Sequence, residues 1–174
     1  MIPWDKPDVK ELIINKEQFK YMLDELIRIK NTLGMEITSA FEYSLCAYES
    51  AEHIRKFAFK RQCLAGVRHI CINWNGDVKP CSFNRKSYGN INNESLSNIM
   101  KSMRQWRDYS IVPNECKQCK HFKYCGGGCR LDAENTYGNL CNIDSTYNSN
   151  NKEIDYIRYY KSFVSENIRG KPNK

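Results

Sequence analysis

The stretch that decides this chain runs from Cys116 to Cys141 and reads CKQCKHFKYCGGGCRLDAENTYGNLC. Its first four cysteines are spaced C-x2-C-x5-C-x3-C, and a fifth follows after eleven residues. Gly126, Gly127 and Gly128 fill the gap between Cys125 and Cys129. A packed apolar core has no use for that pattern, but a metal or cluster site does. Thiolates two or three residues apart can converge on one centre. Glycines let the backbone approach closely and take φ > 0, so amide N–H groups can face metal-bound sulfur.

Upstream, a second organised block reads CLAGVRHICINWNGDVKPC, from Cys63 to Cys81. Val67–Trp74 is expected as a strand, and Asn75-Gly76 as a type I′ hairpin turn. Asp77–Lys79 starts the return strand, and Pro80-Cys81 ends it. The two arms of such a hairpin bring Cys63 and Cys81 to one end. Cys71 falls mid-strand, where a cysteine more often packs than ligates. Ile70, Ile72 and Trp74 share one face; His69, Cys71 and Asn73 share the other.

The flanks read as helices. Asn15 is an N-cap with Gln18 in the capping-box position. Phe19, Met22, Leu23, Leu26, Ile27 and Leu33 recur at helical spacing, and Gly34 is the stop. A short strand, Glu36–Phe41, is expected next. Cys46 stands alone in SLCAYES, in a helix-or-loop region to Lys60, where a lone cysteine is commonly a small buried hydrophobe. His53 reads as a surface or packing residue. After a loop over Ser82–Asn93, a helix from about Glu94 to Tyr109 carries Leu96, Ile99, Met100, Met103 and Trp106 on one stripe. A last helix is expected over Lys152–Ile168.

The totals bound the function. The 174 residues suit one domain with an appendage, and 41% apolar residues allow a modest core. No apolar run approaches the ~20 residues of a membrane span. Met1-Ile2-Pro3-Trp4-Asp5 has no signal-peptide character, so a cytoplasmic, thiol-reducing location is expected. Nine cysteines, an odd count, speak against a complete disulfide framework. The net charge of +7 is spread along the chain without a nucleic-acid motif. Two four-iron clusters with their thiolates, each about −2, would bring it to about +3.

Cys116, Cys119, Cys125 and Cys129 could close one zinc site. A ferredoxin run would need C-x2-C-x2-C-x3-C, and here the middle gap is five. From chemistry alone zinc and iron–sulfur stay level.

Cys63-x12-Gly76-x4-Cys81, then Cys116-x2-Cys119-x5-Cys125-x3-Cys129, then Cys141 resembles the seven-cysteine signature of the SPASM domain. That domain is the C-terminal extension of many radical SAM enzymes that modify peptides and proteins. NGDVKPC, the YGNI segment at Tyr88–Ile91 and CGGGCR at Cys125–Arg130 carry the same likeness. The resemblance implies two auxiliary [4Fe–4S] clusters with interleaved ligands. Cys63, Cys81 and Cys129 would hold the first; Cys116, Cys119, Cys125 and Cys141 the second. The first needs a fourth ligand or has an open iron. Cys46 is favoured, and Cys71 is next.

The fold implied is α+β: a small β-hairpin, cysteine-rich cluster-binding loops and flanking helices. A helix–strand remnant of a partial TIM-type barrel would precede them. The expected divisions are 1–48 for the barrel remnant, 49–147 for the iron–sulfur domain and 148–174 for a C-terminal helix and tail. The SAM-binding motif C-x3-C-x2-C is missing, because position 132 is Asp132 rather than cysteine. The chain is therefore expected to be non-catalytic alone, as part or subunit of a radical SAM maturase acting on a peptide or protein. The barrel would lie in the same longer protein or in a separate subunit. Ser82 stands where sulfatase-maturing relatives carry a basic aspartate, a departure that weakens the carry-over of that activity. A zinc-binding interaction module and a free-standing iron–sulfur electron carrier are the alternatives.

Overall fold

The computed structural model describes residues 13–37, 43–50, 53, 57 and 62–151. The first element, α1 (Lys16–Leu33), has the expected start and stop. The Asn15 side chain accepts from the Gln18 N–H at 2.9 Å, and the Gln18 side chain accepts from the Asn15 N–H at 2.9 Å. Gly34 closes the helix at φ 65°, where a side chain would be disfavoured. Phe19 and Leu23 are buried, and Met22, Leu26 and Ile27 pack beside them. Leu33, expected on the same stripe, is exposed. The apolar face of α1 meets Ala47, Tyr48 and Phe57 in a first core. His53 is buried at its edge, its Nε2 2.8 Å from Asp24 Oδ1.

Residues 36 and 37 belong to no regular element, and the rest of the strand expected over Glu36–Phe41 lies outside the described residues. A single 3-10 turn, Leu45–Ala47, follows.

The hairpin is shorter than the sequence suggests. Only β1 (Cys71–Ile72) and β2 (Val78–Lys79) form a ladder, antiparallel, with Cys71 opposite Lys79 and Ile72 opposite Val78. The chain before β1 is spent on a tight turn. Gly66 at φ 67° donates to the His69 carbonyl at 2.9 Å and to the Pro80 carbonyl at 3.2 Å. The hairpin loop is not type I′ either. Gly76 donates to the Asn73 carbonyl, and of the loop residues only Gly76 has a positive φ, 90°. A three-residue loop closed by a glycine bulge has that pattern. Tyr88–Ile91 then runs beside β2, with Tyr88 N–H on the Val78 carbonyl and Val78 N–H on that of Gly89, both at 2.9 Å.

The helix expected from Glu94 to Tyr109 is two: α2 (Leu96–Ser102), capped by Ser95, and α3 (Arg104–Arg107). The break at Met103 has a local cause. The Arg107 guanidinium takes the Met100 carbonyl, and the Ser102 hydroxyl bonds the Ile99 carbonyl at 2.7 Å. Side chains thereby hold acceptors that an unbroken helix would use. Ile99, Met103 and Trp106 still bury, joining Ala65, Val78, Ile111 and Leu131 in a second core. Leu96, expected on that stripe, is exposed. Three short helices, α4 (Asn114–Lys117), α5 (Phe122–Cys125) and α6 (Arg130–Tyr137), and a closing 3-10 turn, Ser149–Asn151, complete the described fold. The architecture is thus mixed helices with one small two-stranded antiparallel sheet. The helix expected over Lys152–Ile168 lies outside the described residues. Among the described residues no helix is long and apolar enough to cross a membrane.

Candidate metal centre

The cysteine-rich loops are folded by short helices that stop on glycine. Helix α5 ends at Cys125, and Gly126, Gly127 and Gly128 follow at φ 69°, 87° and 77°. Three left-handed residues in a row turn the chain sharply. Both Gly127 and Gly128 aim backbone N–H groups at the Cys125 sulfur. Leu45, from the distant 3-10 turn, adds its own N–H to Cys125 Sγ at 3.4 Å. His121 N–H faces Cys119 Sγ at 3.5 Å. Donors gathered on sulfur in this way are a means by which proteins stabilise thiolate and tune a bound centre.

There is no spare room around the glycines. A Cβ on Gly128 would stand 1.8 Å from Asp144 Oδ2, and one on Gly127 would stand 2.8 Å from Val112 Cγ1. The loop is held from beneath by Arg130. Its guanidinium bonds the Gly127 carbonyl, and also those of Leu140 at 3.0 Å and Asn142 at 2.6 Å.

Four of the nine cysteines line one small recess of about 30 Å³: Cys46, Cys116, Cys119 and Cys125. Its apolar walls come from Leu45, Phe122 and Tyr147. Burial pushes the Cys46 thiol up to about 12 and Cys116 up to about 11, and it raises Cys125 as well. A bare thiolate is disfavoured there, so a bound cation is what would hold these sulfurs charged. Among the described residues no three His, Cys, Asp or Glu side chains converge closely enough for a single metal ion. Glu115 and His121 share the lining with the four thiols. Four sulfurs with backbone N–H groups behind them suit an iron–sulfur cluster.

Cys63, Cys81 and Cys129 all pack against the second core, and Cys63 is near enough to Cys129 for its charge to act on that thiol. Burial, and after it the neighbouring Asp132 and Cys63 charges working with it, push the Cys129 thiol up to about 12, against backbone donors from Asp132 and Leu131. The Gly66–Pro80 bond closes the hairpin base, three residues after Cys63 and one before Cys81. Cys71 sits on the ladder opposite Lys79, half-buried. Cys125 and Cys129 bracket the glycine turn, so one strap of backbone joins the two groups. Cys46, which sequence reasoning favoured beside the hairpin cysteines, lies in the recess with the other set. Cys141 is exposed and does not line that recess.

Sequence reasoning missed the buried polar knot beside the recess. The Ser44 hydroxyl bonds both Asp144 carboxylate oxygens, at 2.7 and 2.8 Å, and Thr146 Oγ1 bonds Asp144 Oδ1 at 2.9 Å. Burial raises the Asp144 carboxyl, while the Ser44 and Thr146 hydroxyls oppose the shift. The D-x-T spacing at Asp144–Thr146 was the local signal. Its partner a hundred residues away left none.

Residues 63–120 match the family model of SPASM, described as an iron–sulfur cluster-binding domain. The match contains Cys63, Cys71, Cys81, Cys116 and Cys119 and ends before Cys125. No curated protein matches the chain significantly. Two solved structures of anSMEcpe, an anaerobic sulfatase-maturating radical SAM enzyme, are similar to it. The native enzyme with bound AdoMet is 16% identical with TM-score 0.40, over 90% of this chain and 41% of that one. The native enzyme with bound AdoMet and Cp18Cys peptide is 14% identical with TM-score 0.39, over 90% of this chain and 55% of that one. This chain therefore spans less than two thirds of either. Residues 63–120 carry the SPASM iron–sulfur cluster-binding domain.

Proposed function

We propose that this chain is the auxiliary-cluster portion of a radical SAM maturase acting on a peptide or protein, and that it holds two [4Fe–4S] clusters. The observation that supports the reading is that Cys46, Cys116, Cys119 and Cys125 line one recess, while Cys63, Cys81 and Cys129 pack on the second core. Cys116, Cys119 and Cys125 hold one cluster; Cys63, Cys81 and Cys129 hold the other. The remaining positions are filled from Cys46, Cys71 and Cys141. Clusters of this class pass single electrons when bound.

The chain's own residues do the rest. Leu45, His121, Gly127 and Gly128 present N–H groups to sulfur. The apolar walls keep water from the recess, and Arg130 fixes the turn that links the groups. The barrel that cleaves SAM belongs to the same longer protein or to a separate subunit, and residues 1–48 are the end of such a barrel. Residues 49–147 are the iron–sulfur domain; of the C-terminal division 148–174, residues 152–174 lie outside the described residues. The reducing cytoplasm is the compartment that suits nine free thiols.

Anaerobic reconstitution followed by iron and sulfide analysis tests the reading. About eight of each per chain is expected. A colourless chain that takes up only zinc would end it.

A further inference from the structure

We propose that Cys46, and not Cys141, supplies the fourth thiolate of the recess that contains Cys116, Cys119 and Cys125. The inference rests on the cluster reading above and sharpens it. The seven-cysteine spacing does not include Cys46, and sequence reasoning placed it with the hairpin group. The folded chain puts it elsewhere. Cys46 lines the recess with the other three, whereas Cys141 is exposed and lies outside it.

The position of Cys46 is built from several sides. Its neighbour Leu45 donates a backbone N–H to Cys125 Sγ at 3.4 Å, so the turn that carries Cys46 already touches a thiol of the set. Its other neighbour, Ala47, is buried in the first core. Asn151 Nδ2 holds the Cys46 carbonyl at 3.0 Å. Ser44 is anchored to the buried Asp144 by both carboxylate oxygens. A thiol on a one-turn 3-10 helix with both neighbours fixed has little freedom. It lines the recess together with Cys116, Cys119 and Cys125. Cys141, by contrast, follows a loop in which its own N–H is taken by the Asn139 side chain at 2.8 Å. Ligation would exchange the Cys46 thiol proton for iron, with no oxidant required.

Three forms of the chain, reconstituted anaerobically, decide it: unaltered, Cys46→Ala and Cys141→Ala. The expected iron content is about eight for the unaltered chain, about four for Cys46→Ala and about eight for Cys141→Ala. The reduced EPR spectrum of Cys46→Ala should lose one of two components, which Cys141→Ala keeps. Cys46→Ala retaining both components, or Cys141→Ala losing one, overturns the assignment. Alkylation of the unaltered chain guards against a variant that misfolds. In the loaded protein Cys141 should label and Cys46 should not; after iron is chelated in urea both should label. Labelling of Cys46 in the loaded protein, or protection of Cys141, is a second route to refutation. An unaltered chain that binds no iron defeats the parent reading instead, and does so before either variant is compared.

Discussion

Gly128 shows how much a single position can carry. It combines a left-handed φ of 77° with an Asp144 oxygen 1.8 Å from where a Cβ would stand. Gly138 shares the conformation, φ 76°, but has nothing within 4 Å. Replacing each by alanine separates the two effects. Gly138→Ala should cost about 1–2 kcal/mol, the backbone penalty alone. Gly128→Ala should cost clearly more, because it also forces apart the Asp144–Ser44 pair, and urea denaturation of the two variants side by side measures the gap. The glycines of this turn could be read directly, since three in a row between two cysteines have no other economical purpose. Asp144 could not be read. A buried carboxylate is recognised by its partners, and Ser44 is remote in the chain.

His53 and Asp24 give a pH-dependent counterpart at the same scale. The hydrogen bond from Lys20 holds the Asp24 carboxyl below its ordinary 3.8, with His53 adding to it and burial working the other way. An acid whose folded value is depressed contributes stability that is present above the unfolded value and lost as pH falls through the folded one. Stability should therefore decline more steeply below about pH 4 in the native chain than in Asp24→Asn. Thermal unfolding of both between pH 2.5 and 6 is the check, and parallel curves would contradict it.

At the scale of elements, what could be read was what is written locally. The Asn15–Gln18 box and Gly34 fixed both ends of α1, because a cap needs only residues three or four apart. The hairpin was found, but its loop type and length were not. Those depend on where Gly76 must turn to let Asn90 reach the Asn75 carbonyl at 2.9 Å, a contact across fifteen residues. The split at Met103 was likewise invisible, since no proline or glycine marks it. It follows from Arg107 and Ser102 competing for helix carbonyls.

The YGNI segment is tied to α3 through Tyr88. Its hydroxyl accepts from Trp106 Nε1 and Gln105 Nε2, both at 3.0 Å. Tyr88→Phe leaves the mostly buried indole N–H without that acceptor. The expected cost is about 1–3 kcal/mol, read as a lower urea midpoint with an unchanged slope.

At the scale of the whole molecule, the described residues hold two separate apolar cores, with polar ties beside the cysteines. One is built on α1 and the other on the hairpin and α2–α3. Leu45 on Cys125, Ser44 on Asp144 and Asn151 on Cys46 are those ties, between distant parts of the chain. A bound cluster would stiffen this tied region more than either core. Stripping iron with a chelator under anaerobic conditions should therefore raise hydrogen exchange in residues 44–47 and 116–130, and leave the amides of α1 unchanged. Equal loosening everywhere would mean that the cores do not stand without the metal. The sulfur grouping was legible in the sequence as far as spacing carries it. The side on which Cys46 falls was not, because it depends on how the 3-10 turn docks.

Trp74, at the hairpin tip, is 98% exposed, whereas Trp106 is 4% exposed within the second core, where Cys63, Cys81 and Cys129 also pack. The chain thus contains two native fluorophores of opposite surroundings. In a Trp4→Phe background, long-wavelength emission from the wetted indole should persist through metal loading. The short-wavelength emission of the enclosed one should be quenched by the coloured cofactor as it assembles. Cluster insertion could then be followed in real time by light alone, with no label added.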